Sequence, residues 1–324
     1  EWVETRRDET GELLVRLKPL SEFRGLFEEP SRFLMIQAEE ITDHLNVHVN
    51  ATNVAELIPP QRGDSVFETI QNNVRAVLEQ RRQTGQPMFP HLNHPNWQWA
   101  ITAEDMMPVE DLQFFEVYNG HRGVRNNGDD THVDLERLWD IVLAARLGQL
   151  GLPPVYGLAV DDAHHYADSN SQTARPGRGW VMVRSRSLTP EQLIASLEAG
   201  DFYSSSGVSL SQIDRSPTGL SLQIEAEPGV EYTTHFIGTR RGYDPSSTPV
   251  TAADGTPLPV TRRYSEEVGT SLAEVKGTSP SYTFQGDELY VRAKVVSSRA
   301  KANYYVLGER EAAWVQPVIP TQPE

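Results

Sequence analysis

The sequence predicts an α/β fold followed by a smaller antiparallel β part, and three observations lead there. Helix-period and strand-period segments alternate from Pro19 to Gly207. Several of the strand segments run out into acids or histidines. From about Ser209 the helical period disappears, and short alternating runs such as Leu220, Leu222, Ile224 and Ala226, or Val291, Ala293 and Val295, are separated by Gly, Pro, Ser and Thr. The expected division is an α/β domain over 1–208 and a β-sandwich-like accessory domain over 209–324.

Residues 1–18 are charged and carry no clear strand pattern. Pro19 to Glu29 reads as a short helix with Leu20, Phe23 and Phe27 on one face, closed by Pro30. Phe33 to Ile36 reads as a strand that exits through Gln37, Ala38, Glu39 and Glu40. Acids leaving a buried strand are costly unless paired or bound to a metal. Asn46 to Asn50 alternates, so His48 faces away from Val47 and Val49 and lies near Glu40. Asp64 to Gly85 is the strongest helix. Ser65 and Glu68 suit a capping box, Val66, Ile70, Val74, Val77 and Leu78 form one face, and Gly85 ends it.

Pro87 to Pro95 reads as a short strand with a histidine exit. His91 and His94 differ in parity, which makes His94 the ligand candidate and His91 a packed or hydrogen-bonded group. Thr102 caps a short helix through Met107. Gln113 to Val117 is a strand with Glu116 inside it, a carboxylate that needs a partner. Asp134 to Leu147 is a second helix facing inward with Leu135, Leu138, Ile141, Val142 and Ala145. Val155 to Val160 is a buried strand running into Asp161, Asp162, His164 and His165. Asp162 and His164 share one parity, and Asp161 and His165 fall on the other.

A polar loop holding Arg175 and Arg178 leads to Gly179. After it come a strand at Trp180 to Val183, a helix opened by Thr189, Pro190 and Gln192 and ended by Gly200, and a strand and polar turn at Phe202 to Val208. Tyr243 to Thr261 reads as a long loop, and the tail from Pro317 is Pro-rich.

Composition narrows the chemistry. The net charge of -16 over 324 residues argues against nucleic acid or an anionic membrane as partner. A small phosphorylated substrate stays compatible, because a bound cation dominates its local field. With no cysteine, any metal site must use His, Asp and Glu, and the compartment stays open. Eight of the nine histidines lie between His44 and His165, which places the chemistry in the first half. No stretch is apolar for long enough to span a bilayer, and no signal peptide is recognisable.

The ordered segments QAEEIT, HVN, HLNHPN, FFEVYNG, DDAHHY, PGRGWVMV and GDFYSSSGV resemble the PHP (polymerase and histidinol phosphatase) superfamily, specifically PHP-like metal-dependent phosphoesterases with a C-terminal β extension. The resemblance implies a distorted (β/α)7 barrel with two or three divalent ions (Zn, Mn or Fe) at the strand ends. It implies Glu40 as a bridging carboxylate, with Glu39 as the alternative if the register slips. His48 and His94 would complete one metal, Asp162 would serve another, and His164 a third.

The family's opening His-x-His strand has no counterpart before Glu40. The barrel is therefore expected to lack its first strands, with the missing part on another segment or supplied by association, including a homo-oligomer. The implied function is metal-dependent hydrolysis of a phosphoester by an activated water, with Arg178 clamping phosphate and His121 protonating the leaving group. One alternative is amide or carbamate hydrolysis at the same metals, favoured by an apolar pocket at Trp97 or Trp99. Another is a truncated, non-catalytic binding module.

Overall fold

The computed structural model describes residues 3–166 and 174–321. Residues 167–173 of the expected loop and 322–324 of the expected tail lie outside the described set. The charged N-terminus forms a small hairpin, β1 (Thr5–Arg7) with β2 (Leu13–Val15), followed by α1 (Leu20–Phe27).

A mixed five-stranded sheet follows. Its strands are β3 (Ala38–Thr42), β4 (His48–Thr52), β5 (Phe89–Leu92), β6 (Phe114–Asn119) and β7 (Tyr156–Val160), in that spatial order. β3–β4 and β4–β5 pair antiparallel, whereas β5–β6 and β6–β7 pair parallel.

The helices form where the sequence marks them. In α2 (Val66–Thr84) Ser65 accepts from the Glu68 N–H, and Gly85 closes the helix at φ 69°. The Glu68 carboxylate accepts from the Asp64 N–H, one residue earlier than a capping box requires. Thr102 and Asp105 do form the reciprocal box at α3 (Ala103–Met106). α4 (Leu135–Ala145) is capped by Asp134 and buries nine of its residues. A helix covered on nearly every side must lie between layers. Accordingly α4 packs on β6 and also on strands of a second sheet.

That second sheet has six strands in the order β15-β12-β17-β18-β9-β8, all antiparallel. It takes β8 (Trp180–Val183) and β9 (Phe202–Ser205), joined through α5 (Pro190–Glu198), from the part of the chain before Ser209. The rest comes from β12 (Tyr232–Arg240), β15 (Thr270–Lys276), β17 (Glu288–Ala300) and β18 (Arg310–Val318). A three-stranded sheet of β10 (Leu210–Ser216), β11 (Gly219–Ile224) and β16 (Ser281–Thr283) and the short pair β13 (Ser247–Thr248) and β14 (Arg263–Tyr264) complete the list.

The expected (β/α)7 barrel is not what forms. Strands hold 32% of the residues and helices 20%, and none of the sheets closes on itself. Direction is one reason. Five residues separate β3 from β4, too few for a parallel crossover, so the pair must be antiparallel. The far edge is the other. β7 does not continue its ladder into β8 or β9. Instead Ser204 Oγ takes the Ala159 N–H at 3.0 Å and donates to the Gly157 carbonyl at 2.7 Å, and the Gln316 amide meets Gly157 N and O at 2.9 and 2.8 Å. The serine run read as a polar turn is thus partly strand β9 and partly a substitute for a backbone partner.

Two further expectations shift. The strand foreseen at Phe33–Ile36 forms at Ala38–Thr42, which puts Glu39 and Glu40 inside it. The change in character at Ser209 marks where helices stop, while the six-stranded sheet draws strands from both sides of that point. A core that includes Val49, Trp139, Tyr290 and Trp314 spans both halves. No helix among the described residues is long and apolar enough to cross a membrane.

A buried ion pair ties α4 to β17. Arg292 donates through Nε and Nη2 to Asp140 at 2.8 and 2.6 Å, and the Tyr290 hydroxyl donates to the same carboxylate at 2.8 Å. Removing one partner strands the other charge in low dielectric, which costs about 3–5 kcal/mol. Asp140→Ala should lose that much in urea unfolding. A loss below about 1 kcal/mol would show that the pair is not what fastens the two layers.

Candidate metal centre

Strand direction brings one rim of the mixed sheet together. His94 follows the carboxyl end of β5, Asn119 ends β6 and Asp162 follows β7. Because β4 runs the opposite way, its first residue, His48, arrives at the same rim. Register then selects the faces. Glu40 pairs with Asn50 and Thr42 with His48, so Glu40 and His48 are diagonal neighbours on one face. Glu39 points to the other face, where it accepts from the Ile58 N–H at 2.8 Å. The register therefore presents Glu40.

Glu40, His48 and His94 converge, with one ligand atom from each lying within 4.8 Å of the others. His48 Nδ1 is 2.8 Å and His94 Nε2 3.7 Å from Glu40 Oε1. With metal–ligand bonds of about 2.0–2.1 Å, a tetrahedral edge spans about 3.3 Å, and the two distances bracket it. His94 is buried and its Nδ1 has no hydrogen-bond partner, while its Nε2 stands beyond hydrogen-bond range of Glu40. One carboxylate and two imidazoles suit zinc, manganese or iron, and three protein ligands leave a coordination position open.

The charges are set by neighbours. The His48 hydrogen bond, with the His94 imidazole nearby, holds the Glu40 carboxyl far below the usual range. Burial pushes His94 down, but Glu40, Glu116 and Asp162 outweigh it and the net shift is upward. Glu116 is 2% exposed, and burial pushes it up. His91, His94 and Asn119 outweigh that and keep it ionised.

Glu116 answers its own burial. Its Oε2 accepts the His94 N–H at 2.8 Å and the Asn119 amide at 2.8 Å, and Oε1 lies 3.4 Å from His91 Nε2. His91 is thus a packed partner, also 3.2 Å from the Asn50 amide. His94 has φ 22° and Asp162 φ 48°, backbone conformations that persist only where the surroundings hold them.

The other candidates lie beside the triad. The turn at Asp162 ends the strand alternation that would have aligned it with His164. His164 Nδ1 instead donates to the Asp162 carbonyl at 2.8 Å and lies 3.5 Å from Oδ1. His121 packs against Trp97 and His164. Burial, the larger influence, lowers its pKa against the pull of Asp162. Arg178 is fully buried, donating to the Gly120 carbonyl at 2.7 Å and to Asn303 at 3.3 Å. The amides of Gly177, Arg178 and Gly179 wrap the Asp161 carboxylate. The arginine foreseen as a phosphate clamp is therefore occupied in fastening a loop.

Two asparagines escaped the sequence reading. Asn93 donates to Glu40 at 3.2 Å and accepts the Asn50 N–H. Asn119, fully buried, donates to both Glu116 and Asp162 and accepts the His121 N–H at 2.7 Å. The signal was one of position, since Asn93 lies beside His94 in the segment Pro87 to Pro95 and Asn119 lies two residues beyond the strand read at Gln113 to Val117. Comparison with known proteins brings no relative: no family model, curated protein or solved structure matches the chain.

The turn that delivers His48 depends on Asp43. Its carboxylate accepts from the backbone of His44 and Arg62 and from the Asn73 amide, at 2.7, 2.9 and 2.8 Å. Burial pushes Asp43 up, but these bonds win and bring it to about 2. A depressed carboxylate contributes stability above its unfolded pKa and loses it as pH falls through the folded one. The wild type should therefore lose about 2 kcal/mol more than Asp43→Ala between about pH 5 and pH 2 in urea unfolding. Parallel pH curves would show that Asp43 is not the anchor of this turn.

Proposed function

We propose that the chain is a metal-dependent hydrolase whose cation sits on Glu40, His48 and His94, with a phosphoester as the favoured substrate. The observation that carries this reading is the buried, under-satisfied His94 imidazole aimed at a carboxylate and a second imidazole. The resemblance in the order of the strand-end motifs supports the choice of phosphoester. A bound divalent cation would lower the pKa of a water and neutralise charge developing on phosphoryl oxygens.

The protein's own groups do the remaining work. Glu40 and His48 orient one another through their 2.8 Å bond, and Glu116 fixes the His94 backbone. His121, held through its backbone N–H by Asn119 and lying beside His164, would protonate a leaving oxygen. Asp162 and His164 line the same rim and offer ligands for a second ion. Amide or carbamate hydrolysis is the competing reading, since the same three ligands would serve it equally.

Zinc or manganese titrated into the metal-free chain should bind with at least one equivalent. His94→Ala and Glu40→Ala should each weaken that binding by about 100-fold and remove phosphomonoester hydrolysis while the thermal transition persists. Unchanged affinity in both variants would put the cation elsewhere and end this assignment.

A further inference from the structure

The triad does not stand alone. His48, His94, Trp97, His121 and His164 form a continuous row of rings, with successive centroids 4.9, 5.9, 5.3 and 5.4 Å apart. The row starts at the candidate ligands and ends at the Asp162–His164 pair. Trp97 is its midpoint and its one large apolar member.

Two features keep Trp97 in that position. Its backbone N–H donates to the His94 carbonyl at 2.8 Å, so the residue and the ligand share one turn. Across from it stands Gly123, where any Cβ would collide with the indole. The neighbouring Trp99 is differently placed. His132 stacks on it at 3.9 Å and 8°, and the Arg125 guanidinium lies 5.0 Å from the ring centre. Trp97 is half-buried, and its ring neighbours meet it at 54° and 75°. Among the described residues no ring stacks on its plane.

We propose that Trp97 is the platform for the organic part of the substrate, and that the site takes esters of a flat, apolar alcohol. This rests on the hydrolase reading above and adds the substrate's chemical class. A planar ring laid on the indole gains apolar contact and offset stacking that a small polar alcohol cannot. It would keep the ester between the triad on one side and His121, at the leaving oxygen, on the other. Stacking on the indole therefore favours ring-bearing esters over sugar or glycerol phosphates.

The test is binding of two non-hydrolysable probes, 2-naphthylphosphonate and methylphosphonate, to the full chain with and without zinc. The wild type should bind the naphthyl probe at least tenfold more tightly in both states. Trp97→Ala should reduce that ratio to within twofold, and Trp97→Phe should keep most of it, with zinc affinity unchanged in both variants. A wild-type ratio near one overturns the proposal without any variant. So does a ratio that survives in Trp97→Ala, or loss of zinc from Trp97→Phe, which would make the indole a support for His94 alone. If zinc fails to bind while the ratio behaves as expected, the hydrolase reading falls and the aromatic platform stands.

Discussion

The free edge of β7 is the constraint on which the architecture turns. A strand buried on both faces cannot leave its N–H and C=O groups unanswered. Ser204 and Gln316 supply those partners from β9 and β18. Because side chains complete the edge, the parallel ladder stops at β7 and an antiparallel sheet can begin beside it. The same junction lets α4 lie between the sheets, where the Asp140–Arg292 pair holds it. The rim carrying His94, Asn119 and Asp162 is the open end of the truncated parallel part.

A second constraint operates within that rim. A carboxylate as buried as Glu116 would ordinarily take up a proton. It stays ionised because a backbone N–H, an amide and a histidine meet it. The His94 N–H and the Asn119 amide lie at the exits of β5 and β6, so satisfying one buried charge fixes two chain exits. Asn119 extends the arrangement, since its amide faces two carboxylates while its oxygen faces an N–H. That pattern leaves only one orientation for the side chain. A network of this kind is rigid when complete and costly when any member is lost.

Much of this was legible in the sequence, and the gaps have physical causes. The helices announced themselves through caps, since Ser65, Thr102, Asp134 and Thr189 each accept from a backbone N–H of their helix's first turn. The buried acid at Glu116 also followed from the strand reading, and the closeness of His48 to Glu40 from their nearness in sequence. Strand direction did not, because a two-residue period is the same in either sense. The brevity of the link from Thr42 to His48 was the one clue, and it argued against a barrel. Arg178 illustrates a different gap. A loop arginine among glycines matches a phosphate clamp, but only the fold reveals that Asp161 sits beneath it and Asn303 beside it. The asparagines stayed hidden because an amide carries no charge to flag its burial.

The insertion of β18 between β17 and β9 has a consequence for synthesis. On the ribosome β9 is made about a hundred residues before the strand it must pair with. Until then β8 and β9 form a lone two-stranded pair, and such a pair is marginal in water. The nascent chain can assemble α2 against β4 and β5 early, but β7 lacks the Gln316 partner of the Gly157 N–H until β18 emerges. That interval leaves part of a strand edge open to pairing with another chain.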